Sequence, residues 1–172
     1  MGDLAMALAK NLDRAFPEVV EKMGGRLYWG LRRMSGDHQE AEDLTQEALI
    51  RAYRALSSYD RERIRALRVE PWLWTIALNL GRNHLRDRSR RPTFVTEAEG
   101  VLDFDPEPFD QAGWDRRLAE LNKNQRTAVV LRHVVGLGVD EIAEAVGRPV
   151  GTVKADIHRG LAKLRDILEA ES

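Results

Sequence analysis

Between Pro92 and Gly113 no helical period survives. Pro92, Pro106, Pro108, Gly100 and Gly113 interrupt the stretch, and Glu97, Glu99, Asp103, Asp105, Glu107 and Asp110 repel one another with no basic residue among them. Phe94, Val95, Val101, Leu102, Phe104 and Phe109 are scattered through it. This composition describes an extended linker with a few apolar contact points, unlike a plain Gly/Ser tether. It divides the chain into two lobes, residues 1–91 and 114–172.

The lobes differ in charge from the strap that joins them. The net charge of −1 over 172 residues hides 17 Lys/Arg against 13 Asp/Glu in residues 1–95, and ten against eight in residues 116–172. Residues 96–115 hold seven acids and no base. Two mildly basic lobes flanking an acidic connector suit partners that the total charge would not suggest. Hydrophobic residues at 43% and charged residues at 32% place the chain among globular proteins. With no cysteine, disulfides, thiolate zinc sites and cysteine nucleophiles are excluded together, and the expected compartment is cytoplasmic. No apolar run approaches a membrane span, and no secretory signal is visible at the N-terminus.

Both lobes carry the helical period, and no segment alternates as a strand would. Ala41, Leu44, Ala48, Leu49, Ala52 and Leu56 form one stripe, predicting a helix from about Asp37 to Leu56, capped by Gly36-Asp37 and stopped at Ser57-Ser58. A preceding helix is expected from Pro17 to Met34, with proline in its first turn. A third begins at Pro71, buries Trp72, Leu73, Ile76, Ala77 and Leu80, and runs out into Arg86, Arg88, Arg90 and Arg91. Of Trp72 and Trp74, at least one belongs to the core.

In the second lobe, a helix bearing Val129, Val130 and Leu131 ends near Gly136. The next, Val139 to Val146, buries Val139, Ile142, Ala143 and Val146. After the break Gly147-Arg148-Pro149, a helix from Val150 to about Glu169 turns Val150, Val153, Ile157, Leu161, Leu164 and Leu168 inward. Two helices joined by a glycine-containing turn are the helix-turn-helix signal, whose second helix enters the major groove by its N-terminal residues. Its outward positions are Thr152, Lys154, Ala155, His158 and Arg159, with Lys163 further along. Thr152 can donate to a phosphate, and Lys154, His158 and Arg159 can reach base edges or phosphates. Asp156 does not help a DNA-facing surface and is expected to point sideways and accept from a neighbouring base. A hairpin with a solvated charged face would share much of this pattern.

The helix from Pro71 combines amide and basic residues on one face: Asn79, Asn83 and Arg86 fall at i, i+4 and i+7, with Arg82 beside them. Amides can hydrogen-bond base edges while arginines neutralise phosphate, a combination that suits unstacked single-stranded bases. Asp37, Glu40, Asp43 and Glu47 make an acidic face on the preceding long helix, with Gln39, Glu42 and Gln46 alongside. That face is either simply solvated or docks on a basic helix of a partner. Nothing points to catalysis: His38, His84, His133 and His158 lack metal-ligand spacing, and no phosphate-binding glycine loop or nucleophile–base grouping is present. No metal and no cofactor are expected.

Three stretches in this order resemble the sigma-70 family of bacterial transcription initiation factors, in particular its compact extracytoplasmic-function (ECF) group. AEDLTQEALIRAYRAL (residues 41–56) is similar to the core-polymerase-binding helix, PWLWTIALNLGRNHLR (71–86) to the helix that reads the −10 element, and QRTAVVLRHVVGLGVDEIAEAVGRPVGTVKADIHRGLAKLR (125–165) to the −35-reading domain. The resemblance implies an all-α fold of two small helical domains. Sigma region 2 spans residues 1–91, an extended acidic linker 92–113, and the sigma region 4 helix-turn-helix 114–172. It implies that Asp43, Gln46 and Glu47 dock on the β and β′ subunits of core RNA polymerase. Asn79, Arg82, Asn83 and Arg86 would meet −10 DNA, Asn79 at a flipped base. Thr152, Lys154, Ala155, His158, Arg159 and Lys163 would meet −35 DNA. An anti-sigma factor is a further implied partner. Three features depart from the family pattern: the 57–70 loop is long and rich in arginine (Arg61, Arg63, Arg65, Arg68), Asp156 stands where a base is common, and Asn122-Lys123-Asn124 replaces the usual proline-rich start of the fourth region. The main alternative is a stand-alone helix-turn-helix regulator whose first lobe senses a ligand or dimerises.

Overall fold

The computed structural model describes residues 2–88 and 111–172, with side chains for 2–83 and 112–172. The linker expected from residue 92 lies largely outside the described residues, as do the side chains of His84, Arg86 and Arg88. Among the described residues the elements are helical throughout. They are α1 (Gly2–Lys10), α2 (Leu12–Ser35), α3 (His38–Ser58), α4 (Arg61–Arg65) and α5 (Val69–Arg88) in the first lobe. The second holds α6 (Gln111–Ala119), α7 (Lys123–Val130), α8 (Val139–Val146) and α9 (Val150–Glu171), with a π-helical turn Leu131–Val135 after α7.

α2 and α3 form a tight antiparallel hairpin. Gly36 adopts φ +71° and sends its N–H back to Arg32 O at 2.9 Å, while Asp37 caps α3 by accepting from Glu40 N at 2.8 Å. The expected stop at Ser57-Ser58 holds, but α2 starts five residues before Pro17. Asn11 caps it by accepting from Arg14 N at 3.0 Å, and Pro17 sits inside the helix. A proline in the second turn omits one backbone hydrogen bond and leaves the rest intact. The first-lobe core comprises Leu27, Leu31, Ala41, Leu44, Ala48, Ala52, Leu56, Leu73, Trp74 and Ala77, all buried. Trp74 is fully enclosed, while Trp72 is half-buried with its ring edge to Tyr59. α1 and α4, absent from the sequence reading, close the open end by burying Ala5, Leu8 and Ile64.

In the second lobe Arg126 takes over the loose end of α6. Its guanidinium donates to the carbonyls of Leu118, Ala119 and Leu121, at and just past the C-terminal end of the helix. α7 and α9 approach closely where Gly160 lies: a Cβ there would fall 2.7 Å from Val129 Cγ2. Gly136 and Gly147 adopt φ +87° and +67°, ending the π turn and α8. One difference from expectation concerns α9. Val153 and Leu164 are buried, but Val150, Leu161 and Leu168 are about 40% exposed, because the short α7 and α8 cover only one strip of so long a helix.

Candidate nucleic-acid interface

The orientation of α9 is fixed at its first two turns. Pro149 leads in, its carbonyl accepting from Thr152 N at 3.0 Å and Val153 N at 3.1 Å, and Val153 anchors the inner side at 1% exposure. Asp156 is buried and ion-paired with Arg148 of the turn at 2.5 Å. The expectation that it accepts sideways from a neighbouring base is met, and the acid is withdrawn from the outer surface. What remains outside is Lys154, His158 and Arg159, all exposed, with Thr152 and Ala155 half-buried between them. Lys163 is exposed too, but its ammonium donates to the Glu120 carbonyl at the end of α6. The outer edge of α9 is therefore cationic and polar, and its opposite edge is pinned.

α5 presents a second such edge. Leu73, Trp74, Ala77 and Leu80 bury one side, leaving Asn79, Arg82 and Asn83 exposed along the other. Arg82 Nη2 also reaches the Val146 carbonyl at 3.4 Å. The side chain of Arg86 is outside the described set. On α3, Asp43 is exposed, with Gln46 and Glu47 half-buried beside it. Gln39 donates to Asp43 Oδ1 at 3.1 Å, and Arg51 pairs with Glu47 at 2.8 Å. The acidic side of α3 thus carries its own local partners. Among the described residues no His/Cys/Asp/Glu cluster could hold a metal, and no helix is long and apolar enough to cross a membrane.

The two lobes, separated in sequence by the acidic linker, are in contact. α8 lies on α5, and α2 touches both α6 and the π turn. One continuous hydrophobic cluster runs from Leu31, Leu44 and Trp74 into Leu131, Val135, Ile142 and Val153. Asp115 of α6 receives Arg32 at 3.1 Å and Arg33 at 3.3 Å from α2, and Arg126 Nη1 donates to the Met34 carbonyl at 3.1 Å. Arg68 pairs with carboxylates of α8. The cluster of arginines around residues 61–68 was the one visible signal, since a run of cations needs partners somewhere.

Known proteins share these features in the same order. The Sigma-70 region 2 family model matches residues 19–91, and the Sigma-70, region 4 model residues 113–164. The ECF RNA polymerase sigma factor SigW of Bacillus subtilis is 33% identical over 169 residues, covering 88% of this chain and 87% of the relative. The RNA polymerase sigma factor CnrH of Cupriavidus metallidurans is 31% identical, covering 98% and 94%. A solved structure of CnrH in complex with the cytosolic domain of CnrY superposes with a TM-score of 0.74 at 25% identity, covering 99% of this chain and 98% of that one. A stand-alone regulator is not favoured, because its sensing lobe would have no reason to match sigma region 2. The chain belongs to the ECF group of the sigma-70 family, the sigma factors that direct bacterial RNA polymerase to promoters.

Proposed function

We propose that this sigma factor reads a two-part promoter through the edges of α5 and α9 and docks on core RNA polymerase through α3. Residues 1–91 act as the polymerase- and −10-binding domain, 92–113 as the linker, and 114–172 as the −35-binding domain. Asp43, Gln46 and Glu47 supply an acidic surface to a basic face on the β and β′ subunits. Lys154, Ala155, His158 and Arg159, with Thr152 and Lys163 at the margins, meet duplex −35 DNA. Thr152 sits at the N-terminus of α9, where backbone N–H groups and the helix dipole favour a phosphate. Asn79 hydrogen-bonds an unstacked −10 base, and Arg82, Asn83 and Arg86 hold the adjoining strand.

Promoter opening costs a few kcal/mol per unstacked base step, which base capture at Asn79 and phosphate neutralisation offset. No group in the chain needs to make or break a bond, so the protein acts without catalysis of its own, in the cytoplasm beside the polymerase. Control by an anti-sigma factor fits the same reading, since the structural neighbour CnrH is held by the cytosolic domain of CnrY.

The observation that carries the proposal is the paired design of α5 and α9. Each is locked on one side by buried residues and leaves an amide- or cation-bearing edge open. The test is run-off transcription with core polymerase, combined with permanganate footprinting of the melted strand. Asn79→Ala should reduce strand opening about tenfold or more while leaving duplex −35 binding within twofold, the loss of a base contact costing about 1–3 kcal/mol. Equal loss of both activities would contradict the role given to Asn79.

A further inference from the structure

The leading end of α9 is the least polar part of its outer edge. Pro149 enters without a side-chain cap, and Arg148 before it is turned inward to Asp156. The first turn leaves two residues open to solvent: Val150, 41% exposed, and Gly151. The apolar period of the sequence assigns Val150 to the core, but the inner side of that turn is filled by Val153 instead. Single exposed valines are ordinary on protein surfaces; this one is distinguished by its place. Positions 150, 154 and 158 lie four apart and run along one flank of the helix. Val150 therefore heads a line whose next members are the exposed Lys154 and His158.

Gly151 points the same way. Glycine within a helix lowers stability relative to alanine, because it loses more backbone freedom on folding. Gly147 has a reason in its φ of +67°, and Gly160 in its crossing with Val129. Gly151 has neither: its φ is not positive, and a Cβ built there meets nothing within 4 Å. The folded chain itself makes no use of the missing side chain. What benefits from it is a ligand that the backbone approaches closely.

A helix-turn-helix enters the major groove by the N-terminal residues of its second helix, which here are Val150 and Gly151. In that groove thymine alone among the bases displays a methyl group, and apolar side chains recognise it. Neither Lys154 nor His158 can supply such a contact. We propose that Val150 reads a thymine of the −35 element by packing on its 5-methyl group, and that Gly151 lets the first turn of α9 come close enough to do so. The proposal rests on the −35 assignment above and adds to it the identity of one base.

The test isolates the methyl group. Duplexes randomised across the −35 element are selected on the complex of the full chain with core polymerase. Each thymidine of the selected element, on either strand, is then replaced singly by deoxyuridine, which removes the methyl and keeps the base pair. At one position deoxyuridine should weaken binding about fourfold, as expected for one buried methyl-sized group. That penalty should vanish in Val150→Ala, whose melting temperature should match the parent because the side chain is exposed. Gly151→Ala should move two readouts in opposite directions, raising the melting temperature while weakening binding to the same duplex. A selected element without thymine, no position sensitive to deoxyuridine, or a penalty that persists in Val150→Ala would overturn the methyl contact. Unchanged binding by Gly151→Ala would overturn the close approach. Lys154→Ala and His158→Ala separate this from the parent assignment: if neither alters the selected sequence, the −35 reading itself fails and the methyl contact with it. If they do alter it while the deoxyuridine penalty ignores Val150, only the methyl contact fails.

Discussion

Arg148 carries more responsibility than its place in a turn suggests. It neutralises Asp156, whose carboxylate is buried at the base of the reading helix. Removing the guanidinium leaves a buried charge without its partner, which is costly even when one member of the pair is partly exposed. Arg148→Ala should lower stability by about 1–3 kcal/mol, read as a shift in the urea midpoint, and Arg148→Ala with Asp156→Asn should recover most of it. Glu70 makes a different prediction. Burial pushes its carboxyl above the usual glutamate value of 4.5; Arg26 of α2 at 2.9 Å pulls it back, and Glu141 of α8 pushes it up further. The folded state then holds the proton more readily than the unfolded chain, so stability falls as pH rises from 4.5 through the raised value. Glu70→Gln should flatten that part of the stability curve, and an unaltered slope in urea titrations across acidic pH would contradict it. The sideways turn of Asp156 was legible in the sequence, because it interrupts a basic outer face. Glu70 was not, since nothing local tells that a carboxylate at the start of α5 will be covered by α8.

At the scale of elements, α9 is held by the close crossing with α7 at Gly160. A branched or long side chain there must displace Val129, a stiff residue that cannot swing aside. Gly160→Leu should cost about 1–3 kcal/mol from overpacking, lowering the melting temperature despite the better helix propensity of leucine. On the open edge of the same helix, Lys154→Ala should weaken binding to promoter duplex while leaving the melting temperature unchanged. If Lys154 contacts one phosphate, the slope of log affinity against log salt should fall by about one; an unchanged slope would remove Lys154 from the backbone contacts. The bounds of α8 and the start of α9 were readable because Gly147 and Pro149 leave only one place for the turn. α1 and the true start of α2 were not. Their short apolar sets gain a partner only when α4 folds over them, and Pro17 advertises a helix start that Asn11 takes instead.

At the scale of the whole molecule, the two helical lobes were legible from the acidic break between them, and the three motifs in order identified the family. The contact of those lobes was not legible, because it depends on pairs such as Arg68–Asp140 and Arg33–Asp115 that lie more than 70 residues apart. A sequence displays charges but not which distant charge each will meet. The consequence is a factor whose two lobes, far apart in sequence, are joined by ion pairs as well as by apolar contacts. The most direct measurement is transcription by core polymerase with this factor on a library randomised around the −10 and −35 elements, with the spacing between them varied. The account predicts initiation from a narrow set of sequences conserved at both elements, with one preferred spacing, and loss of selection at the −35 element alone when Lys154 and His158 are replaced by alanine. Initiation indifferent to both elements, or none from any member of the library, would contradict it.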